Sequence, residues 1–368
     1  MQRSLREIAT GVIRRSVRSA SFRLSGIKKD KMAPPPPPHY SSFNHELEAA
    51  AHVEDLDYEH LKKMDHVKTT LDYIKSLPQV KIGNQSRLES KVRQMALGGR
   101  QKLLVISDFD FTLSRFANAA GERLSTTHGV FDDNAARIDP ELGQKFVDLR
   151  NKYYPIEFDP KLTVEEKTPH METWWNTSHG YIIKSGFTRP MIEDFVRKSR
   201  VVLRDGAADL IKTLDTKEVP LVIFSAGIGN VIEIFLEQQF GKVPANTHFI
   251  SNMIQFDKDN KAVAFSEPLI HTFCKNSSVI KKEASFFHDV VGRVNVILLG
   301  DSMGDIHMDV GVEKEGPTLK IGFYNGDVKD EDLLGHYVEE YDIAIVHDPT
   351  VTVPRRIVDL ICEPTALV

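Results

Sequence analysis

Three uninterrupted apolar runs organise the chain: Leu103 to Ile106, Leu221 to Phe224 and Val296 to Leu299. Continuous runs of this length, rather than alternating ones, mark strands covered on both faces of a parallel sheet. Each run stops at an acidic or glycine-bearing segment, where strand gives way to loop. The second continues through Ser225-Ala226-Gly227-Ile228-Gly229-Asn230 into an apolar-periodic helix, Val231 to Phe240. Upstream, His45 to Leu77 reads as a charged helix and Leu88 to Ala96 as a shorter one. The stretch between Asp110 and Ser225 is mostly helical in pattern and far longer than a simple crossover needs. It predicts a cap of helices inserted over the strand ends, in which Thr163 and Glu166 form a capping box.

These elements define an α/β class: a doubly wound, Rossmann-like core with a mainly parallel sheet and an inserted helical cap domain. The expected boundaries are a basic and Pro-rich tail over 1–44, N-terminal helices and the first core strand over 45–116, the cap over 117–200, and the rest of the core over 201–368.

Composition narrows the function classes. The chain has 368 residues, 41% of them hydrophobic, enough to bury a substantial core. A net charge of −5 argues against a nucleic-acid polymer as partner. Two cysteines, Cys274 and Cys362, form no disulfide framework and suit a reducing compartment. No apolar run reaches the ~18 residues of a membrane helix, so no membrane partner is expected. Residues 1–31 are rich in Arg and Lys with apolar positions at near-helical spacing, the pattern of either a disordered basic tail or an organellar transit peptide. Pro34 to Pro38 is a stiff boundary. The expectation is a cytoplasmic monomer, with a mitochondrion or plastid as the alternative if the basic segment is a transit peptide.

The run ends carry the candidate chemistry. The first closes on Asp108-Phe109-Asp110, the third on Gly300-Asp301-Ser302-Met303-Gly304-Asp305. Carboxylates at the carboxyl ends of two strands invite a cation, and hard oxygen donors without His or Cys favour Mg²⁺. The Ser225 segment aims a hydroxyl and backbone N–H groups at an anion near a helix N-terminus. Lys275 follows Ile270-His271-Thr272-Phe273-Cys274 and supplies positive charge. Gly227-x-Gly229 lacks the third glycine of a dinucleotide fingerprint, so a nicotinamide site is not expected.

In the order Asp-x-Asp-x-Thr, Ser, Lys, Gly-Asp-x-x-x-Asp, the chain resembles the haloacid dehalogenase superfamily of phosphohydrolases. The strings Asp108 to Phe116, Leu162 to Lys167, Phe224 to Gly229 and Leu299 to Asp305 resemble more closely the cytosolic type-III (pyrimidine) 5′-nucleotidases. The resemblance covers roughly Val80 to the C-terminus. It implies a Mg²⁺-dependent hydrolysis of nucleoside 5′-monophosphates, pyrimidine ones such as CMP and UMP or 7-methylguanosine monophosphate, through an aspartyl-phosphate. Asp108 is then the nucleophile and Asp110 the acid and base. Asp108, the Asp110 carbonyl and Asp301, with Asp305 close by, hold the metal, while Ser225, Ala226 and Lys275 hold phosphate.

The resemblance also places substrate reading in the cap. Glu157 matches a base-reading glutamate, Trp175 a ring stacked on the base, and His128 the opposing wall. Tryptophan at this position resembles members that accept 7-methylguanosine monophosphate, a cationic purine suited to an indole face; His128 resembles the pyrimidine type. Gly129 and Asn230 replace an asparagine and an aspartate of the family pattern. The rival readings are another small-molecule phosphatase of the superfamily, a nucleoside phosphotransferase, and a non-catalytic nucleotide-binding scaffold.

Overall fold

The computed structural model describes residues 41–159, 161–276, 279, 287–309 and 315–363. The basic segment and polyproline run lie outside them. The chain divides after Val53, within the first helix, and apart from the bounds of that helix all that follows concerns the unit from Glu54 to Val368.

The three apolar runs form strands, joined by others that the pattern did not predict. Helix α1 (Ser41–Ser76) begins four residues before the predicted start, and α2 (Gln85–Gly98) extends the predicted Leu88 to Ala96 at both ends. The seven-stranded sheet contains β1 (Val80–Lys81), β2 (Leu103–Ser107), β3 (Leu221–Ile228), β4 (Thr247–Asn252), β7 (Asn295–Gly300), β8 (Thr318–Tyr324) and β9 (Ile343–Val346). Its spatial order is β1-β9-β8-β7-β2-β3-β4. Only the edge strand β1 is antiparallel. A separate hairpin pairs β5 (Ile254–Phe256) with β6 (Ala262–Phe265).

Alternation explains why the runs are apolar throughout. Leu103 and Val105 of β2, Leu221 and Ile223 of β3, and Ile297 and Leu299 of β7 join one core. Leu104, Ile106, Val222, Phe224, Val296 and Leu298 point into a second core on the opposite face. Successive strand residues face opposite sides, so a strand buried on both has no polar position left.

From β2 the chain winds outward through β3 and β4, then returns to the other side of β2 for β7, β8 and β9. The switch point between β2 and β7 opens a crevice at the carboxyl ends of the strands. Between β2 and β3 lie α3 (Gly129–Ile138), α4 (Pro140–Glu157), α5 (Val164–Lys184) and α6 (Arg189–Lys198). Helix α5 starts at the predicted capping box: the Thr163 hydroxyl accepts from the Glu166 N–H at 3.2 Å, and the Glu166 carboxylate accepts from the Thr163 N–H at 2.8 Å. The core is completed by α7 (Ala207–Thr216), α8 (Gly229–Phe240), the short α9 (Phe287–Val290), α10 (Glu331–Glu340) and α11 (Thr352–Cys362). Among the described residues no helix is long and apolar enough to cross a membrane.

Candidate active site

Strand register brings the acids together. Ser107 pairs with Leu299 of β7, so Asp108 leaves β2 beside Gly300 and Asp301, and its N–H donates to the Leu299 carbonyl at 2.9 Å. Ser107 also pairs with Ile223 of β3, which sets Ser225 on the neighbouring strand, two residues further on. A side chain at Gly300 would place its Cβ 2.5 Å from the Asp305 Cβ, so glycine lets the loop fold back over the strand. The carboxylate oxygens of Asp108, Asp301 and Asp305 offer ligand atoms all within 4.8 Å of one another.

Lys275 is buried among them. Its Nζ donates to Asp108 Oδ1 at 2.5 Å and Asp305 Oδ1 at 2.7 Å. Burial works against its charge, but these carboxylates together outweigh it and hold the lysine pKa above its ordinary value. Burial raises the pKa of Asp301 well above the carboxylate range, with repulsion from Asp108 and Asp305 adding to it. Two buried carboxylates and a half-buried one facing a single ammonium group leave excess negative charge, and their donors are all oxygen. The residues therefore fit a hard divalent cation such as Mg²⁺.

The acids differ in their freedom to bind it. Asp305 is heavily engaged: its Oδ2 accepts from the Asp301 and Ser302 N–H groups and the Ser302 hydroxyl, at 2.8 to 3.1 Å. Asp301 receives one bond on Oδ2, from Asn325 at 3.3 Å. The Asp110 carboxylate lies outside the cluster and accepts two bonds from Thr127, and burial raises its pKa to about 6 against both of them. Burial thus favours the protonated form of Asp110 more than water would.

Ser225 is buried, and its Oγ accepts from the Gly227 N–H at 3.0 Å, which leaves the hydroxyl hydrogen available to donate. Its setting differs from the sequence expectation, because β3 runs on past Phe224 to Ile228 and α8 starts at Gly229, two residues before the predicted Val231. Ser225 lies within β3, one residue past the regular part of its pairing with β4, and not in a loop before the helix. Asn230, at the start of α8, accepts from the Ile254 N–H at 2.5 Å and so anchors β5.

The cap-side candidates also converge. Glu157 ends α4, and its Oε1 accepts from the Thr272 hydroxyl at 2.6 Å, three residues before Lys275. Burial raises its pKa, opposed by that bond and by the charges of Arg123, Lys167 and Lys275. Trp175, on α5, donates from Nε1 to the Ala226 carbonyl at 2.8 Å, which ties α5 to the end of β3. The His128 ring meets Trp175 edge-on at 5.6 Å and stacks on His179 at 5.7 Å. Burial lowers the His128 pKa to about 4, so the ring is neutral at pH 7.

Several contributors carry no signal in the sequence. Thr127 and Thr272 hold Asp110 and Glu157. Buried Asn252 donates to the Ala226, Gly227 and Ile270 carbonyls and accepts from the Ile270 N–H, joining the end of β3 to the segment that carries Lys275. Buried Arg204 donates to the Phe111 and Thr112 carbonyls and to Asn325, and so holds the acid loop in place. Each acts through partners far away in sequence, and only the fold reveals the pairings.

A family profile described as pyrimidine 5′-nucleotidase (UMPH-1) matches residues 111–362. The Caenorhabditis elegans protein named "Putative cytosolic 5′-nucleotidase 3" is 64% identical over 313 residues, covering 85% of this chain and 83% of the relative. A 7-methylguanosine phosphate-specific 5′-nucleotidase of Gallus gallus is 41% identical over 286 residues, covering 78% of this chain and 97% of its own. Among solved structures, cytosolic 5′-nucleotidase IIIB bound to cytidine superposes with a TM-score of 0.71 at 29% identity, covering 79% of this chain and 96% of that one.

Proposed function

The chain belongs to the pyrimidine 5′-nucleotidase (UMPH-1) family, and from that membership and the site geometry we propose how it hydrolyses nucleoside 5′-monophosphates. Asp108 is the nucleophile: its carboxylate attacks phosphorus, the P–O5′ bond breaks, and an aspartyl-phosphate forms. Asp110 gives its proton to the departing O5′. It then takes a proton from the water that attacks the intermediate, freeing phosphate and restoring Asp108. Lys275 and the Ser225 hydroxyl hold phosphoryl oxygens, together with the backbone at Ala226. Asp108, Asp301 and the Asp110 carbonyl are the residues suited to hold Mg²⁺, with Asp305 orienting the loop. When bound, Mg²⁺ supplies positive charge that offsets repulsion between a dianionic phosphate and a carboxylate nucleophile.

Glu157, at the end of α4, reads the base by accepting from an exocyclic amine or ring N–H, and Trp175 with neutral His128 provides aromatic walls. Relatives named for 7-methylguanosine phosphate and a solved structure holding cytidine support a pocket for either base class. A cytosolic location accords with the name of the C. elegans relative.

The single observation that carries the proposal is Lys275 bridging Asp108 and Asp305 beside Asp301 at the switch point of the sheet. It is tested by kcat/KM for CMP, UMP, AMP and 7-methylguanosine monophosphate with Mg²⁺. CMP or 7-methylguanosine monophosphate is expected to lead the series, with phosphate as product. Release of phosphate from none of them, with activity instead on a sugar or amino-acid phosphate, would transfer the chain to the wider phosphatase reading.

A further inference from the structure

We propose that Thr127 is the positioning residue for the acid and base of this reaction, fixing the Asp110 carboxylate where its proton meets the leaving oxygen. The inference rests on the nucleotidase reading above and deepens it. Thr127 is fully buried, on the segment that leads from the acid loop into α3. Its N–H donates to Asp110 Oδ1 at 2.8 Å and its hydroxyl to Asp110 Oδ2 at 2.6 Å, so one residue fixes both carboxylate oxygens. Its orientation is itself determined, because Thr127 Oγ1 accepts from the Ile228 N–H at 3.2 Å, which turns the hydroxyl hydrogen towards Asp110.

The neighbouring backbone makes room for this contact. A Cβ at Gly227 would lie 2.0 Å from Thr127 Oγ1 and 2.9 Å from Asp110 Oδ2, so only glycine admits the threonine. The acid is thereby located against the strand that carries Ser225, and its position relative to phosphate is set before substrate arrives. A displacement of about 1 Å in such a group is enough to slow a proton transfer severely.

The leaving group separates positioning from mere structure. A nucleoside O5′ departs as a strongly basic alkoxide unless Asp110 protonates it as the P–O bond breaks, whereas nitrophenolate departs without a proton. Both substrates share the later hydrolysis of the aspartyl-phosphate, so the comparison is made in kcat/KM, which stops at the first phosphoryl transfer. For Thr127→Val, kcat/KM on CMP or 7-methylguanosine monophosphate is expected to fall about 10- to 100-fold, and on p-nitrophenyl phosphate by less than about 3-fold. Thr127→Ser, which keeps the hydroxyl, restores the nucleotide rate.

Equal losses on both substrates, or no loss on the nucleotide, would overturn the assignment. Should the valine variant fail to fold, Thr127→Cys keeps the shape with a weaker donor and must give the same selective loss in smaller measure; a parallel loss there overturns it equally. A wild-type chain inactive on all nucleotides would instead refute the nucleotidase reading.

Discussion

At the scale of single residues, the charge balance of the site turns on Lys275. It is the ammonium group set among Asp108, Asp301 and Asp305, of which Asp108 and Asp305 are buried. Removing one partner of a buried ion pair strands the other, at a cost of about 3–5 kcal/mol. Lys275→Met is therefore expected to lower stability by about that amount in EDTA at pH 7.5, read from urea denaturation. The loss should depend on pH. Burial already raises Asp108 to about 7 with the lysine present, and its removal raises the folded-state value further. A carboxyl whose folded pKa is raised stabilises most below its unfolded pKa and loses that contribution as pH climbs through the folded one. The deficit of the variant should therefore shrink as pH falls from 8 to 5. A deficit that is constant or grows on acidification would show that Lys275 is not opposing these carboxylates.

At the scale of elements, the cap helix α5 carries Trp175 and depends on its own start signal. Thr163→Ala removes one arm of the capping box and should cost about 1 kcal/mol, seen as a lower urea midpoint. An unchanged midpoint would mean that tertiary packing alone holds the helix end. This box, β2, β3 and β7 were legible in the sequence because their signals are local: an apolar run, a cap pair, a glycine at a turn. The two-residue β1 and the β5-β6 hairpin were not. Val80 and Lys81 become a strand only by pairing with Ile345 and Ala344, and β5 is anchored by Asn230. Within the site, the same division holds. Asp108, Asp110, Asp301 and Asp305 announced themselves at strand ends, whereas Lys275 was recognisable only through family resemblance, and Thr127, Asn252, Arg204 and Thr272 only through contacts made in the fold.

At the scale of the molecule, the sheet order puts the parallel strands β2 and β7 side by side where the order of strand addition reverses, with the inserted helices between β2 and β3. In the proposed mechanism the core handles what all phosphate esters share, and the inserted helices read what distinguishes them. The division is not complete, since Trp175 bonds to Ala226 and Glu157 to Thr272, so the two layers meet at the end of β3 and at the segment before Lys275. The central claim is that phosphate passes through Asp108. The most direct test is to mix the protein and Mg²⁺ with CMP or 7-methylguanosine monophosphate carrying radiolabelled phosphate, quench in acid within the first turnover, and map the labelled peptide. The account predicts label on Asp108 and none in Asp108→Asn; rapid turnover with no protein-bound phosphate, or label on another residue, would contradict it.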